Sequence, residues 1–246
     1  MRTLSLTSPP MRGPDVVHAQ KTLTNAGFIP GPPDGIFGEQ TARACSEAKW
    51  NLGYANREVK PIYGDLLDAY LAGRKKPSLL MRRRAAKRKN QQTLGQKALR
   101  IGRQYVGVKE NPPGSNRVMF SEWYGLIGPW CLMFVTYCFV EAGSKAFKRG
   151  ERWAYCPYAV NDARAQKYGT TVVPRGQEQT GDVAYFSWKH DGVANHVGIV
   201  VTINSNNGTF VSLEGNTSVS SDSDGGEVQI RTRNLSDVLC FVRVVA

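Results

Sequence analysis

Residues 74–90 read Arg-Lys-Lys-Pro-Ser-Leu-Leu-Met-Arg-Arg-Arg-Ala-Ala-Lys-Arg-Lys-Asn, nine basic side chains and no acid. A stretch so densely charged with one sign cannot enter a core, because each buried ion would lose its hydration without gaining a partner. The chain on either side must therefore close a core of its own. The block is read as a basic linker over 74–92, leaving a front unit of 1–73 and a rear unit of 93–246. It also carries most of the net charge: of +12 overall (32 Lys and Arg against 20 Asp and Glu), +9 belongs to the block and +3 (23 minus 20) to everything else.

The front unit has helical spacing. Gly13-Pro14-Asp15 opens a pattern with Val16, Ala19, Leu23 and Ala26 three or four residues apart, closed by Gly27. Pro near the start and Gly past the end mark an amphipathic helix. A second helix is predicted from Gln40 to Lys49 with Ala42, Cys45 and Ala48 inward, and a third from Tyr63 to Leu71. Between the first two stands Pro33-Asp34-Gly35-Ile36-Phe37-Gly38-Glu39-Gln40-Thr41. There Asp34-Gly35 supplies a turn, Phe37 an apolar plug and Gly38 a tight entry to the next helix.

Behind the block, Leu94, Ala98, Ile101 and Tyr105 predict a helix over 93–106. The longest apolar run, Trp130 to Val140 with one Thr, is too short for a bilayer, which needs about 18 residues or more. It reads as a buried helix from Cys131 to Gly143. From residue 180 the pattern turns to short strands at Asp182–Trp188, Asn195–Ile203, Thr209–Asn216, Glu227–Thr232 and Val238–Val245. Helices first and an antiparallel sheet of about five strands afterwards make an α+β fold. The first residues lack the apolar core of a secretory signal, so synthesis without a signal peptide in a cytoplasm is expected. No transmembrane segment is expected.

Five cysteines at 45, 131, 138, 156 and 240 form no CxxC or Cys/His metal spacing, which argues against a disulfide framework and a zinc ribbon. Cys138 lies mid-helix among apolar neighbours and reads as an inert core thiol, as do Cys45, Cys156 and Cys240. Cys131 differs. The turn Gly128-Pro129-Trp130 places it at a helix start, where unpaired backbone N–H groups favour thiolate over thiol. A thiolate nucleophile needs an imidazole and a group that orients it. Of the three histidines, His18 belongs to the front unit, leaving His190 in a polar loop or His196 at a strand start. Side chains alternate along strands, and a register such as Ile203 opposite Thr209, across the turn at 204–208, puts His196 opposite Asn216 and diagonal to Glu214. The candidate catalytic set is thus Cys131, His196, Glu214 and Asn216.

Two resemblances follow from these residues. Asp15, Ala19-Gln20, Leu23, Gly27-Phe28 and Asp34-Gly35-Ile36-Phe37-Gly38, over 11 to about 50, resemble the three-helix peptidoglycan-binding module of cell-wall hydrolases. That likeness implies wall contact through Asp34, Phe37 and Gly38. Glu110-Asn111-Pro112-Pro113-Gly114-Ser115-Asn116, Trp123-Tyr124-Gly125, Pro129-Trp130-Cys131, Gly181-Asp182, His196-Val197-Gly198 and Glu214-Gly215-Asn216-Thr217 resemble the cysteine, histidine-dependent amidohydrolase/peptidase (CHAP) domain over 94–246. This implies a papain-like fold and amide hydrolysis in peptidoglycan, with Cys131 as nucleophile, His196 as base, Glu214 as orienter and Asn216 as auxiliary polar group. The pairing of the two resembles a phage endolysin, made in a host cytoplasm and acting at the wall after release.

The endolysin reading favours an N-acetylmuramoyl-L-alanine amidase. An endopeptidase of stem or cross-link peptides is the alternative, and a non-catalytic wall-binding structural protein a second one. No cofactor is expected. Some relatives bind calcium through aspartates beside the nucleophile, but this stretch offers only Glu122, with Met133 two residues past Cys131, so no metal is expected either. Anionic wall polymers are candidate partners of residues 74–90. Nucleic acid is not, since the block has no aromatic for base stacking. A monomer is expected.

Overall fold

The structure, a computed structural model, describes residues 2–147, 153–204, 207–218 and 225–245. The chain divides into two compact units, Met1–Gln91 and Gln92–Ala246. Each has its own apolar core.

In the front unit, α1 (Pro14–Asn25) and α2 (Glu39–Leu52) meet over Val16, Ala19, Leu23, Ala42, Cys45 and Ala48, with α3 (Asp65–Leu71) adding Leu67. Tyr63 closes this core and reaches Asp68 through its hydroxyl at 2.5 Å. Phe37 is fully buried in the same cluster.

Within the segment expected as a linker, residues Leu79–Asn90 form α4, capped by the Ser78 hydroxyl, which accepts from Met81 N. This helix belongs to the front unit and packs on α2. Arg88 holds it there, its guanidinium stacked 3.7 Å from the Trp50 ring centre and donating to the carbonyls of Trp50 and Tyr54 at 2.7 and 2.8 Å. Gly53, left-handed at φ 82°, makes the approach possible, since a Cβ there would lie 1.9 Å from the Met81 carbonyl oxygen. The sequence reading did not anticipate α4, because its charge pattern has no apolar stripe to signal a helix.

The rear unit opens with α5 (Leu94–Gly102), begun by a capping box between Thr93 and Gln96. This helix stops short of the expected residue 106; Arg103–Tyr105 is a 3-10 turn. The short α6 (Met119–Tyr124) and buried α7 (Cys131–Glu141) follow, then α8 (Cys156–Arg164) with Pro157 in its first turn. Six antiparallel strands come next: β1 (Thr170–Val173), β2 (Val183–Phe186), β3 (His196–Asn204), β4 (Thr209–Thr217), β5 (Glu227–Asn234) and β6 (Val238–Val244). Their spatial order is β1-β6-β2-β3-β4-β5. The additional strand, β1, is edge-paired to β6, and its Thr-Thr-Val-Val run was a β-branched signal. The helices cover one face of the sheet over a core that includes Phe120, Trp130, Phe134, Val197 and Leu213. A smaller cluster, with Phe186, Val200, Phe210 and Phe241, fills the other face. No described helix is long and apolar enough to cross a membrane.

The β3–β4 ladder decides what meets at its end. Near the turn Ile203 pairs with Phe210 and not with Thr209, and the centre of that turn, residues 205–206, lies outside the described residues. Continued straight, this register would set Gly198 opposite Gly215 and turn Glu214 away from the histidine face. The register shifts between Val200 and Thr202, leaving one extra residue on β3, so that Gly198 pairs with Glu214. Such a bulge moves every later side chain to the opposite face.

Candidate active site

Cys131 is the first residue of α7, and its position is set from behind. Trp130, fully buried, stacks on Phe120 and donates its indole N–H to Glu110 Oε1 at 2.8 Å, while Asn116 N donates to Glu110 Oε2 at 3.1 Å. The residue before the thiol is thus clamped by a buried carboxylate. Gly215 lets β4 approach the same corner: a Cβ there would lie 2.6 Å from Phe134 Cβ and 2.8 Å from Trp130.

His196 begins β3 opposite Phe186 and is fully buried. Its imidazole lies against the rings of Phe186 and Trp188. Nε2 bonds Glu214 Oε2 at 3.0 Å, whereas Nδ1 is buried with no hydrogen-bond partner among the described residues. Nδ1 is therefore the nitrogen free to serve the thiol, and Cys131 is close enough for thiol and imidazole to shift each other's protonation. His190 and His18 stand elsewhere, His190 exposed and 3.8 Å from Asp237, His18 on Asp68 in the front unit.

Glu214 is fully buried and engaged on every side. Arg233, on β5, donates through Nε to Oε1 at 2.8 Å and through a terminal nitrogen to Oε2 at 2.5 Å, and the Ser212 hydroxyl donates to Oε1. Arg233 also lies over the rings of Trp188 and Phe186, at 4.9 and 5.6 Å. Sequence reasoning missed this arginine; it stands 19 residues from Glu214 across a hairpin with an irregular end, and nothing local ties the two together. Asn216 is buried with φ 56°, and its Oδ1 accepts from Gly226 N at 3.2 Å, an arrangement that orders the end of the β4–β5 hairpin.

The charges follow from these contacts. Burial alone would raise the Glu214 carboxyl, but the hydrogen bonds from Arg233 and His196 overrule it and hold it at about 2. Burial would lower His196, yet the neighbouring Cys131 thiol and its bond to Glu214 raise it to about 9. Cys131 is brought well below an ordinary thiol, first by a hydrogen bond from the Cys156 thiol, against burial, and then by His196. Cys138, in the same helix without such neighbours, is pushed well up by burial. The arrangement lowers the thiol and raises the imidazole, which favours the thiolate–imidazolium form of the pair. Cys156, expected to be inert, instead supplies a thiol donor to Cys131, and that bond and burial raise its own pKa.

In the front unit, Phe37 has no exposed surface and cannot touch a ligand without unfolding. The Asp34 carboxylate is occupied within its own loop, accepting from Gln20 Nε2 and Ile36 N at 2.9 Å each. Gly38 caps α2. Of the three residues expected to contact the wall, Phe37 is thus a core residue, while Asp34 is exposed and Gly38 half-buried. Among the described residues no group of three or more His, Cys, Asp or Glu could hold a metal ion.

The order of a cysteine at a helix start, a histidine at a strand start and a carboxylate on the next strand coincides with a family match over residues 123–216, which include all three. The family matched there is the CHAP domain. Residues 12–55 match a putative peptidoglycan binding domain. No curated protein matches the chain. Among solved structures, similar ones include the endolysin LysIME-EF1, at 19% identity over 62% of this chain and 64% of that one, with a TM-score of 0.42. Another is the peptidoglycan hydrolase RipB from Mycobacterium tuberculosis, at 16% identity over 93% of this chain and 84% of that one, with a TM-score of 0.37. The chain thus aligns to under two thirds of the endolysin's length.

Proposed function

We propose that this chain is a cysteine-dependent peptidoglycan hydrolase of the endolysin type, acting at the bacterial cell wall. The observation that carries the reading is the buried His196–Glu214 pair beside a helix-start cysteine whose thiol is brought well below its ordinary value. A binding protein has no use for that charge separation, which costs desolvation energy and returns only reactivity. The CHAP match and the wall-binding match support a common substrate for the two units.

In the proposed mechanism the Cys131 thiolate attacks an amide carbonyl, and the peptide N–H groups at the start of α7 stabilise the oxyanion. Imidazolium Nδ1–H of His196 then protonates the leaving amine, giving a thioester at Cys131. Neutral His196 next takes a proton from water, hydroxide attacks the thioester, and the carboxylic acid and thiolate are regenerated. Glu214 fixes the imidazole and stabilises its charge without accepting its proton, since its own pKa lies far below. Arg233 holds Glu214 in place.

The bond we assign is that between muramic acid and L-alanine. Mass spectrometry of soluble muropeptides, with labelling of newly exposed amines, tests it: L-alanine amines are expected, and new amines within stem or cross-link peptides would replace the amidase assignment with an endopeptidase. Cys131→Ala is expected to stay folded and keep binding walls while losing lysis. Lysis above a few per cent of the parent would remove Cys131 as nucleophile.

A further inference from the structure

We propose that the outward face of α4 is a docking surface for a linear phosphodiester polyanion of the cell wall, a partner that presupposes the wall-hydrolase reading. The helix is not a loose tether. Met81, Arg84, Ala85 and Arg88 share one side, half-buried toward α2, and the opposite side is open.

Seven of the nine cations of this region fall into two groups by what they touch. Arg74 is spent on Asp68, Lys75 lies over the Tyr70 ring, and Arg88 is spent on Trp50, Tyr54 and Asn56. By contrast, Arg82, Arg83, Lys87 and Lys89 are exposed, and among the described residues their side chains have no acidic partner. They sit on consecutive turns over about 10 Å of helix at 1.5 Å per residue. Like charges at these spacings destabilise an isolated helix. Burial and the neighbouring Arg84 charge already pull Arg88 below its ordinary value. A polyanion laid along the face would relieve that repulsion.

The shape of the face selects among anions. Arg82 and Lys89 lie along one edge of the open face and Arg83 and Lys87 along the other, so they cannot converge on one small phosphate but match successive phosphates of a chain laid across the face. A lipid surface would require an apolar stripe beside the cations. Here Met81 and Ala85 are half-buried toward α2, and the exposed apolar residues are Leu79 and Leu80 in the first turn and the small Ala86, which make no stripe. The face has no aromatic on which bases could stack, which disfavours a nucleic acid.

The test measures binding of the full chain, in a Cys131→Ala background so that the walls persist, to purified walls carrying poly(glycerol phosphate) and to the same walls stripped with hydrofluoric acid. Replacing Arg82, Arg83, Lys87 and Lys89 together by Gln should weaken binding to the phosphate-bearing walls at least 10-fold at low salt. The slope of log affinity against log salt should shrink by about 3, at about 0.7 per neutralised phosphate. On stripped walls the two proteins should bind alike. Equal affinity and slope on phosphate-bearing walls, an equal loss on stripped walls, or tighter binding of the parent to phosphatidylglycerol vesicles or duplex DNA at matched phosphate would each overturn the proposal. Trp50→Ala keeps every charge but loosens the helix and should lose about 3-fold; unchanged binding with a lowered melting temperature would overturn the docked-face geometry in favour of a tether. Digestion of stripped walls by the protein with Cys131 intact reads the hydrolase assignment separately, and the four glutamines should leave it unchanged.

Discussion

At the scale of single residues the site is a chain of charges in which each member sets the next. Arg233 and His196 hold Glu214 down at about 2, and Glu214 with Cys131 holds His196 up at about 9. The imidazolium therefore persists up to pH of about 9, and turnover is expected to fall as pH rises through that value, because the leaving amine then loses its proton donor. Glu214→Gln keeps a hydrogen-bonding amide but removes the charge. It should lower turnover strongly and move the basic limb of the pH–rate profile down toward the ordinary histidine value of 6.5; a limb that stays near 9 would mean that Glu214 does not set the imidazole. The same pair contributes to stability. The His196 share is complete below 6.5 and lost as pH rises through about 9, and the Glu214 share is present above 4.5 and lost as pH falls through about 2. Arg233→Met leaves a buried carboxylate short of its strongest partner and is expected to cost about 3 kcal/mol in denaturant unfolding, as breaking a buried pair commonly does. Arg233→Lys, which keeps the charge but not the two-pronged geometry, should fall between Met and the parent.

At the scale of elements, two close approaches bring functional pieces together. Gly215 allows β4 against α7, so that the strand carrying Glu214 reaches the helix carrying Cys131. Gly215→Ala forces a methyl into Phe134 and Trp130. Overpacking of this kind costs about 1–3 kcal/mol, and here activity should fall further than stability, because the strand bearing Glu214 moves with the backbone. Comparing kcat with the unfolding midpoint checks this; a loss of stability with kcat unchanged would mean that the methyl is absorbed without moving the strand. The β3 bulge between Val200 and Thr202 is the second such device at this scale, since it alone turns Glu214 to the face of His196.

At the scale of the whole molecule, two cores without shared residues predict two separable activities. Residues 92–246 expressed alone should unfold cooperatively and cleave soluble muropeptides at a rate near the parent's, while retention on whole walls falls because the front unit is gone. Loss of soluble-substrate cleavage in a folded rear unit would show that the front unit completes the site. EDTA is expected to leave cleavage unaltered, since none of the steps assigned to Cys131, His196 and Glu214 calls for a cation.

The sequence by itself determined the pieces with strong local signals. Pro14 and Gly27 bounded α1, the apolar run marked α7 and set Cys131 at its start, and alternation marked the strands from β2 onward. These features depend on period and on turn chemistry, which neighbours in the chain decide. Tertiary structure decided the rest. Whether Glu214 meets His196 turned on one extra residue in β3, to which period-two counting is blind. Arg233 and Cys156 joined the site through contacts between elements distant in sequence, and Glu110 through a bond to an indole 20 residues away. Phe37, whose motif pointed to a surface, was drawn inward by packing, while Asp34 stays exposed with its carboxylate bonded to Gln20. The basic block, which composition alone makes a solvated tether, became a helix because Trp50, Gly53 and Arg88 give it something to lie on. Charge density in a sequence says that a segment stays in water, but only the surface packed beneath it decides whether those charges have a fixed direction.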